Sequence, residues 1–209
     1  AAELGGEEVV EQIAKDVPRT LSRHDLFKEP ATQRQLHAVL LAYALRSGDS
    51  GVGYSQSMNY LAGLLLLVTG RPELAFGLLA ALLEQVLPPA LYSRSSMAAA
   101  QAEVAVFTGL VGDCRGFRCK GGGAALLEHM AGLGCPLEGV VLPWFSCLFV
   151  NTLPWATVLR IWDLVLLPSG GAAVLHRAAL AILLRLESEL RGCVALEQAF
   201  ALCAEGPKA

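Results

Sequence analysis

The residues best suited to chemistry cluster at Gly51-Val-Gly-Tyr-Ser-Gln-Ser-Met-Asn59, just ahead of an apolar run from Leu61 to Val68. Two glycines in three residues mark a loop, and the leucine-rich run reads as a buried helix. Tyr54, Ser55, Gln56, Ser57 and Asn59 then fall where free backbone N–H groups and the positive end of the helix dipole face outward. Such a place suits a negatively charged partner, phosphate above all. A plainer reading is that Ser55 and Ser57 only cap a core helix. Gly53-Tyr-Ser-Gln-Ser57 also approaches the Gly-x-Ser-x-Gly nucleophile elbow, which needs a strand before it and a closing glycine. Here Ser57 takes the last place and a glycine-rich loop comes first. A serine hydrolase would use Ser55 with His24 or His176 as base, and nothing in the sequence brings either histidine to it.

Arg19 is the second residue with chemical potential. It follows Pro18, which disfavours helical geometry at Val17 and stops the helix before it. The arginine therefore sits on a loop past a helix end, where an ordinary surface arginine is the simpler reading. Gly116-Phe-Arg-Cys-Lys-Gly121 has the glycine spacing of a P-loop but lacks the Lys-Ser/Thr that follows, and no strand precedes it. A solvated loop is the better description. The four histidines, at 24, 37, 129 and 176, show no ligand spacing, so zinc is not expected. The six cysteines form no Cys-x-x-Cys pair and are expected reduced, unbridged and mostly buried. The net charge of −3 argues against general nucleic-acid binding, which needs a basic face.

The elements that must position these residues are helical. In 7–17, Val10, Ile13 and Val17 are read as one face, with acidic residues in the first turn. Residues 32–46 place Leu36, Val39, Leu40 and Tyr43 at helical spacing. Arg71-Pro-Glu73 opens a helix through Leu74, Leu78, Leu79, Leu82 and Leu83 to Pro88-Pro89, with proline in its first turn. Further helices are expected over 97–111, 124–133, 154–167, 172–190 and 194–203. In the long one, His176, Arg177, Arg185, Glu187 and Glu189 form the polar side. Val140–Val150 is an apolar stretch. No alternating strand pattern or Asn-Gly hairpin signal appears, and no repeat recurs at 20–50 residues. The fold class is all-α. At 54% hydrophobic and 17% charged the chain is apolar, yet its apolar runs stay below the roughly 18 residues a membrane span needs. No signal peptide opens the sequence, so a soluble, intracellular chain is expected.

Three separated segments carry more together than apart. They are Ile13-Ala-Lys-Asp16-Val-Pro-Arg19-Thr20, then Gly53-Tyr54-Ser-Gln56-Ser-Met-Asn59, then Trp144-Phe-Ser-Cys-Leu-Phe149 with Leu159-Arg160-Ile-Trp162-Asp163. This set, in this order, resembles the TBC domain, the all-helical catalytic domain of GTPase-activating proteins for Rab GTPases. The first segment fits Ile-x-x-Asp-x-x-Arg-Thr at all four fixed positions. The second fits Tyr-x-Gln with the usual Met-Asn, and the third the Trp-Phe and Arg-Ile-Trp-Asp elements. Leu26-Phe27, Leu40-Leu-Ala-Tyr43 and Leu61-Ala-Gly-Leu64 agree as well. The chain reads as one TBC domain over 1–209, with the resemblance strongest over 9–190 and two helical lobes implied. Ser57 stands where the family usually has glycine. The family's preceding helices, with their Arg-x-x-x-Trp element, are missing, so part of the N-terminal lobe is expected to be absent.

The resemblance implies that Arg19 is an arginine finger and Gln56 a glutamine finger, both inserted in trans into a GTP-bound Rab. GTP hydrolysis needs an oriented water and cancellation of the charge that develops on the phosphate oxygens. A guanidinium answers the second need, at roughly 10³–10⁵ in rate in well-studied GTPases, and forks onto two oxygens as a lysine cannot. A carboxamide both donates and accepts, so it can hold the water. Ile13, Asp16, Thr20 and Tyr54 are implied to support the finger loops, Tyr54 packing beside the GTPase surface. Trp144 is read as core, and Arg160, Trp162 and Asp163 as scaffold, with Arg160 and Asp163 spaced to pair across one helix face. The chain would turn over no substrate of its own. It would carry no metal or cofactor, since GTP and magnesium come with the GTPase. The same resemblance implies vesicle trafficking, and a cytoplasmic location with peripheral recruitment to endomembranes through the GTPase. A catalytically silent TBC module that only binds a Rab, as scaffold or effector, would share every helix.

Overall fold

The computed structural model describes residues 2–47, 53–92, 98–118 and 120–208. Helices make up the fold, and no strand occurs among the described residues. The chain forms two compact units, Ala1–Met97 and Ala98–Ala209.

The first unit holds α1 (Ala2–Asp16), α2 (Pro30–Ser47), α3 (Met58–Thr69) and α4 (Pro72–Ala81). Its centre is α3, in which Met58, Asn59, Leu61, Ala62, Gly63, Leu64, Leu65 and Leu66 are all buried. Such a helix, apolar on nearly every side, is stable only inside a core. It packs against α2 and α4, and α2 against α1 and α4. The buried face of α2 is Leu36, Val39, Leu40, Tyr43, Ala44 and Ser47, as its spacing predicts. The face of α1 is corrected by one residue. Val9, Ile13 and Val17 are buried and Val10 is exposed. Steps of four from Val9 keep one stripe of the helix, and Asp16, seven residues from Val9, falls on that stripe too. Leu74 and Leu78 of α4 are exposed, while Ala75 and Leu79 face inward. Beyond Ala81 the helix widens into a π turn, Leu82–Val86, closed by Leu87 N–H donating to Leu82 C=O at 3.0 Å. Arg46 clamps that turn to α2 through two 3.0 Å bonds, from Nε and Nη2, to the Glu84 carboxylate.

The second unit holds α5 (Ala98–Asp113), α6 (Gly122–Gly132), α7 (Leu137–Ser146), α8 (Trp155–Val165), α9 (Ala172–Gly192) and α10 (Leu196–Glu205). The long helix α9 packs against α6, α7, α8 and α10. Phe107, Phe145 and His176 form a ring cluster with centroids 5.4–5.9 Å apart. His176 and Glu187 therefore leave the polar side of α9 that the sequence suggests. The His176 ring stacks on Phe107 with Nε2 3.1 Å from a Glu103 carboxylate oxygen. Glu187 is buried and accepts the Arg118 backbone N–H at 2.8 Å. Both are drawn inward because a neighbouring element supplies a partner. Gly123 is a close-approach glycine: a Cβ there would lie 1.7 Å from the Val111 carbonyl oxygen.

Among the described residues, Cys114, Cys135, Cys147, Cys193 and Cys203 form no disulfide, and Cys119 lies outside them. Burial pushes the Cys203 thiol up to about 12, which suppresses its thiolate. Among the described residues, no single helix is long and apolar enough to cross a membrane.

Candidate functional site

Arg19 is not on an open loop. It ends a short 3₁₀ turn, Val17–Arg19, with Pro18 in its first positions, a place where a missing N–H does no harm. Thr20 N–H donates to Val17 C=O at 3.1 Å and closes the turn. Leu21 follows in the left-handed region at φ 45°. The turn thus reverses the chain within a few residues of α1 and leaves Arg19 outward, its side chain 47% exposed.

Beneath it lies Asp16, a carboxylate with 0% exposure. An ionised carboxylate is unfavourable inside a protein unless hydrogen bonds and a countercharge compensate. Asp16 has both. Oδ1 accepts from Arg19 Nη2 and, at 3.0 Å, from Gln12 Nε2. Oδ2 accepts from the Tyr54 hydroxyl at 2.6 Å. The last contact spans 38 residues and binds the arginine turn to the loop before α3. A second clasp runs beside it. Thr20 Oγ1 donates to the Asp16 carbonyl at 2.8 Å and accepts from Asn59 Nδ2 at 2.8 Å. Asn59 Oδ1 in turn accepts the Ser57 N–H at 3.2 Å. Two loops distant in sequence are therefore tied together at two points.

Gln56 lies at the tip of the second loop and is exposed. Tyr54 is not: only 4% of it is accessible, so it does not present a packing surface as the sequence suggests. Its hydroxyl is committed to Asp16. Burial first, and then that hydrogen bond, hold the phenol far above its usual pKa, because ionisation would bring a second negative charge against the carboxylate. Ser57 occupies the N-cap position of α3 but makes no side-chain cap. Its φ of 100° lies in the region that favours glycine. Neither serine acts as the simple cap of the plainer reading. Ser55 Oγ donates to the Gln56 carbonyl at 3.4 Å. His24 Nδ1 caps a 3₁₀ turn by accepting from Leu26 N–H at 3.3 Å, and His176 faces Glu103. Among the described residues no strand leads into Ser55, since residues 53 and 54 are irregular, so they do not form the elbow of a serine hydrolase.

Ile13, Asp16, Arg19, Thr20, Tyr54 and Gln56 thus all belong to the first unit. Ile13 is fully buried and anchors the last turns of α1. A polar cleft of about 310 Å³ beside Tyr54 is lined by Glu8, Val9, Glu11, Gln12 and Lys15. Trp144, Arg160, Trp162 and Asp163 lie in the second unit. Trp144 is core. Trp162 donates its indole N–H to the Leu148 carbonyl at 3.1 Å and supports a turn in which Leu148 and Phe149 have φ of 44° and 64°. Arg160 and Asp163 do not pair as their spacing suggests. Both are exposed and form no ion pair among the described residues. In water such a pair gains little over two solvated side chains.

Sequence reasoning missed Gln12 and the pairing of Asn59 with Thr20. Gln12 stands i,i+4 to Asp16, a spacing at which side chains meet on a helix, so its signal was present. Asn59 stands out in the sequence as a polar residue at the start of α3, but its bond to Thr20 does not, since that partner is 39 residues away. No group of three or more His, Cys, Asp or Glu able to hold a metal occurs among the described residues.

The Rab-GTPase-TBC domain family model matches residues 3–191. Growth hormone-regulated TBC protein 1 of Rattus norvegicus is 37% identical over 183 residues, 86% of this chain and 58% of the relative. Its human counterpart is 38% identical over 175 residues, 82% of this chain and 48% of the relative. The chain thus spans about half the length of these curated relatives. The crystal structure of the Chlamydomonas flagellar RabGAP TBC domain superposes with a TM-score of 0.80 at 28% identity, covering 99% of this chain and 66% of that one. The Ypt/Rab-GAP domain of Gyp1p gives a TM-score of 0.79 at 20% identity, over 97% and 68% of the two chains, a likeness of fold alone. By the extent of the family match, the chain belongs to the Rab-GTPase-TBC domain family.

Proposed function

We propose that this domain accelerates GTP hydrolysis by a Rab-family GTPase, with Arg19 and Gln56 inserted in trans as arginine and glutamine fingers. One observation carries the reading. Two exposed polar tips lie on loops far apart in sequence that are tied to the same buried carboxylate, Arg19 directly and the Gln56 loop through the Tyr54 hydroxyl. A carboxylate with 0% exposure is poorly suited to touch nucleotide itself, but well suited to hold two other groups at a fixed spacing. Preorganisation of this kind is where much of enzymatic charge stabilisation comes from.

In this reading the Rab brings GTP and magnesium, and the domain adds side chains only. One guanidinium nitrogen of Arg19 stays on Asp16, which leaves other N–H donors for the transferring phosphoryl group. The Gln56 carboxamide accepts from the attacking water and donates to its surroundings. The domain would reach endomembranes through the GTPase it serves.

Phosphate release from a panel of GTP-loaded Rabs, each alone and with catalytic amounts of the domain, tests this. At least one Rab should be stimulated. Arg19→Ala should lose roughly 10²-fold or more of that stimulation, and Arg19→Lys should recover little, because the fork is lost. A Rab that binds the domain without faster hydrolysis would replace the activator by a silent Rab-binding module.

A further inference from the structure

We propose that Gly63 is a positioning residue for the reaction: its missing side chain is the seat into which the Thr20 methyl group sinks, and this seat sets the placement of the Arg19 turn. The inference rests on the proposed role of Arg19 and adds a residue that touches neither nucleotide nor Rab.

Gly63 is buried in the middle of α3, one helical turn beyond Asn59. A Cβ built on it would lie 2.9 Å from Thr20 Cγ2, 3.3 Å from Leu21 Cδ1 and 3.5 Å from Phe27 Cε1. The first distance is one that real Cβ atoms do not tolerate, so something must move. Leu21 Cδ1 is a terminal methyl and can yield. Thr20 cannot yield by rotation. Its hydroxyl is held from two sides, by the Asp16 carbonyl and by Asn59 Nδ2, both at 2.8 Å. A β-branched side chain with its oxygen so fixed has no other staggered position for its methyl. Thr20 is also fully buried. Relief then requires the Thr20 backbone and α3 to move apart, and the Thr20 backbone is continuous with Arg19. A mid-helix glycine is otherwise unfavourable compared with alanine, so helix propensity does not account for Gly63. Seating of the turn does.

Displacement of a catalytic group by about 1 Å costs about 10²-fold in rate, and a shift of a few tenths of an ångström should cost about tenfold. The experiment uses Gly63→Ala, Thr20→Ser and the double variant. Thr20→Ser keeps the hydroxyl and both its bonds but removes the methyl, so it empties the space that the new Cβ needs. Stimulated hydrolysis is measured with the most responsive Rab of the panel, and the melting temperature is followed for each protein. Gly63→Ala should lower kcat about tenfold with KM nearly unchanged, since the arginine acts in the transition state. Introduced on Thr20→Ser, the same change should lose less than about threefold. The melting temperature should show the same dependence on Thr20, and this readout needs no Rab. An equal effect of Gly63→Ala with and without the Thr20 methyl, in both rate and melting temperature, overturns the inference, as does no effect at all. Arg19→Ala run in parallel separates the two levels. If it abolishes stimulation while Gly63→Ala is silent, the seat is wrong and the finger stands. If Arg19→Ala keeps full stimulation, or no Rab responds to the parent domain, both fall.

Discussion

Asp16 explains why Arg19 and Gln56 are legible in the sequence while their support is less so. A motif fixes Asp16 three residues before Arg19, and on a helix that spacing already permits an ion pair. The sequence does not say that the carboxylate would be buried, because the α1 face was read from Val10 and the structure uses Val9. Counted from Val9, Asp16 belongs inside. Once it is inside, its oxygens must be engaged, and Gln12, Arg19 and Tyr54 engage them. Asp16→Ala should therefore strand the buried Tyr54 hydroxyl and lower stability by about 2 kcal/mol in urea unfolding. It should also lower stimulated hydrolysis, although Asp16 touches no nucleotide. Loss of stability with wild-type stimulation would mean that the carboxylate supports the fold and not the fingers.

Tyr54 adds a pH signature at the same scale. Its pKa is raised in the folded state, by burial and then by Asp16. A group raised on folding contributes stability that is complete below its unfolded value, near 10 for tyrosine, and lost as pH rises beyond it. Stability should fall steeply above about pH 10, and Tyr54→Phe should flatten that fall. Tyr43, also buried with a raised pKa, and the raised Cys135 and Cys203 thiols remain to supply what slope is left. An unchanged slope in Tyr54→Phe would show that the phenol does not resist ionisation.

Among the elements, α3 matters most, at its start and at its middle. At its start Ser57 holds a φ of 100°, where the family usually places glycine. Strain of this kind costs about 1–3 kcal/mol, and glycine returns about 0.4–1 kcal/mol through its freer unfolded state. Ser57→Gly should therefore stabilise the domain by about 1 kcal/mol, the difference of those ranges, visible as a higher urea midpoint. A lower midpoint would mean that the Asn59 clasp on Ser57 N–H depends on the serine. Most of the helices are readable from apolar spacing of three and four, but α3 reads only as an unbroken apolar run and α7 only as part of the apolar stretch Val140–Val150. What escaped was set by contacts between elements. The π turn at Leu82–Val86 has no pattern of its own. Glu187 and His176 sit on an amphipathic helix where charge alone predicts exposure, yet a backbone N–H and an aromatic pair bring them inward. Gly63 reads as a flaw in a helix until Thr20 is seen above it.

At the scale of the whole molecule, the residues proposed for chemistry all fall in the first of two compact units. The second unit carries the Trp144 and Trp162 elements that the motif set led one to expect, and there they pack a core and a tight turn. Family membership follows from the match over residues 3–191. It does not by itself separate an activator from a silent binder; the difference lies in whether Gln56 supplies a catalytic carboxamide from outside the GTPase. The most direct measurement is single-turnover hydrolysis by a responsive Rab whose own catalytic glutamine has been replaced by alanine. The domain should still stimulate this Rab, and Gln56→Ala should abolish the effect, with Arg19→Ala and the double variant about equally impaired, since groups acting as a unit are not additive. Stimulation that survives Gln56→Ala, or that vanishes when the Rab loses its own glutamine, would contradict the two-finger mechanism.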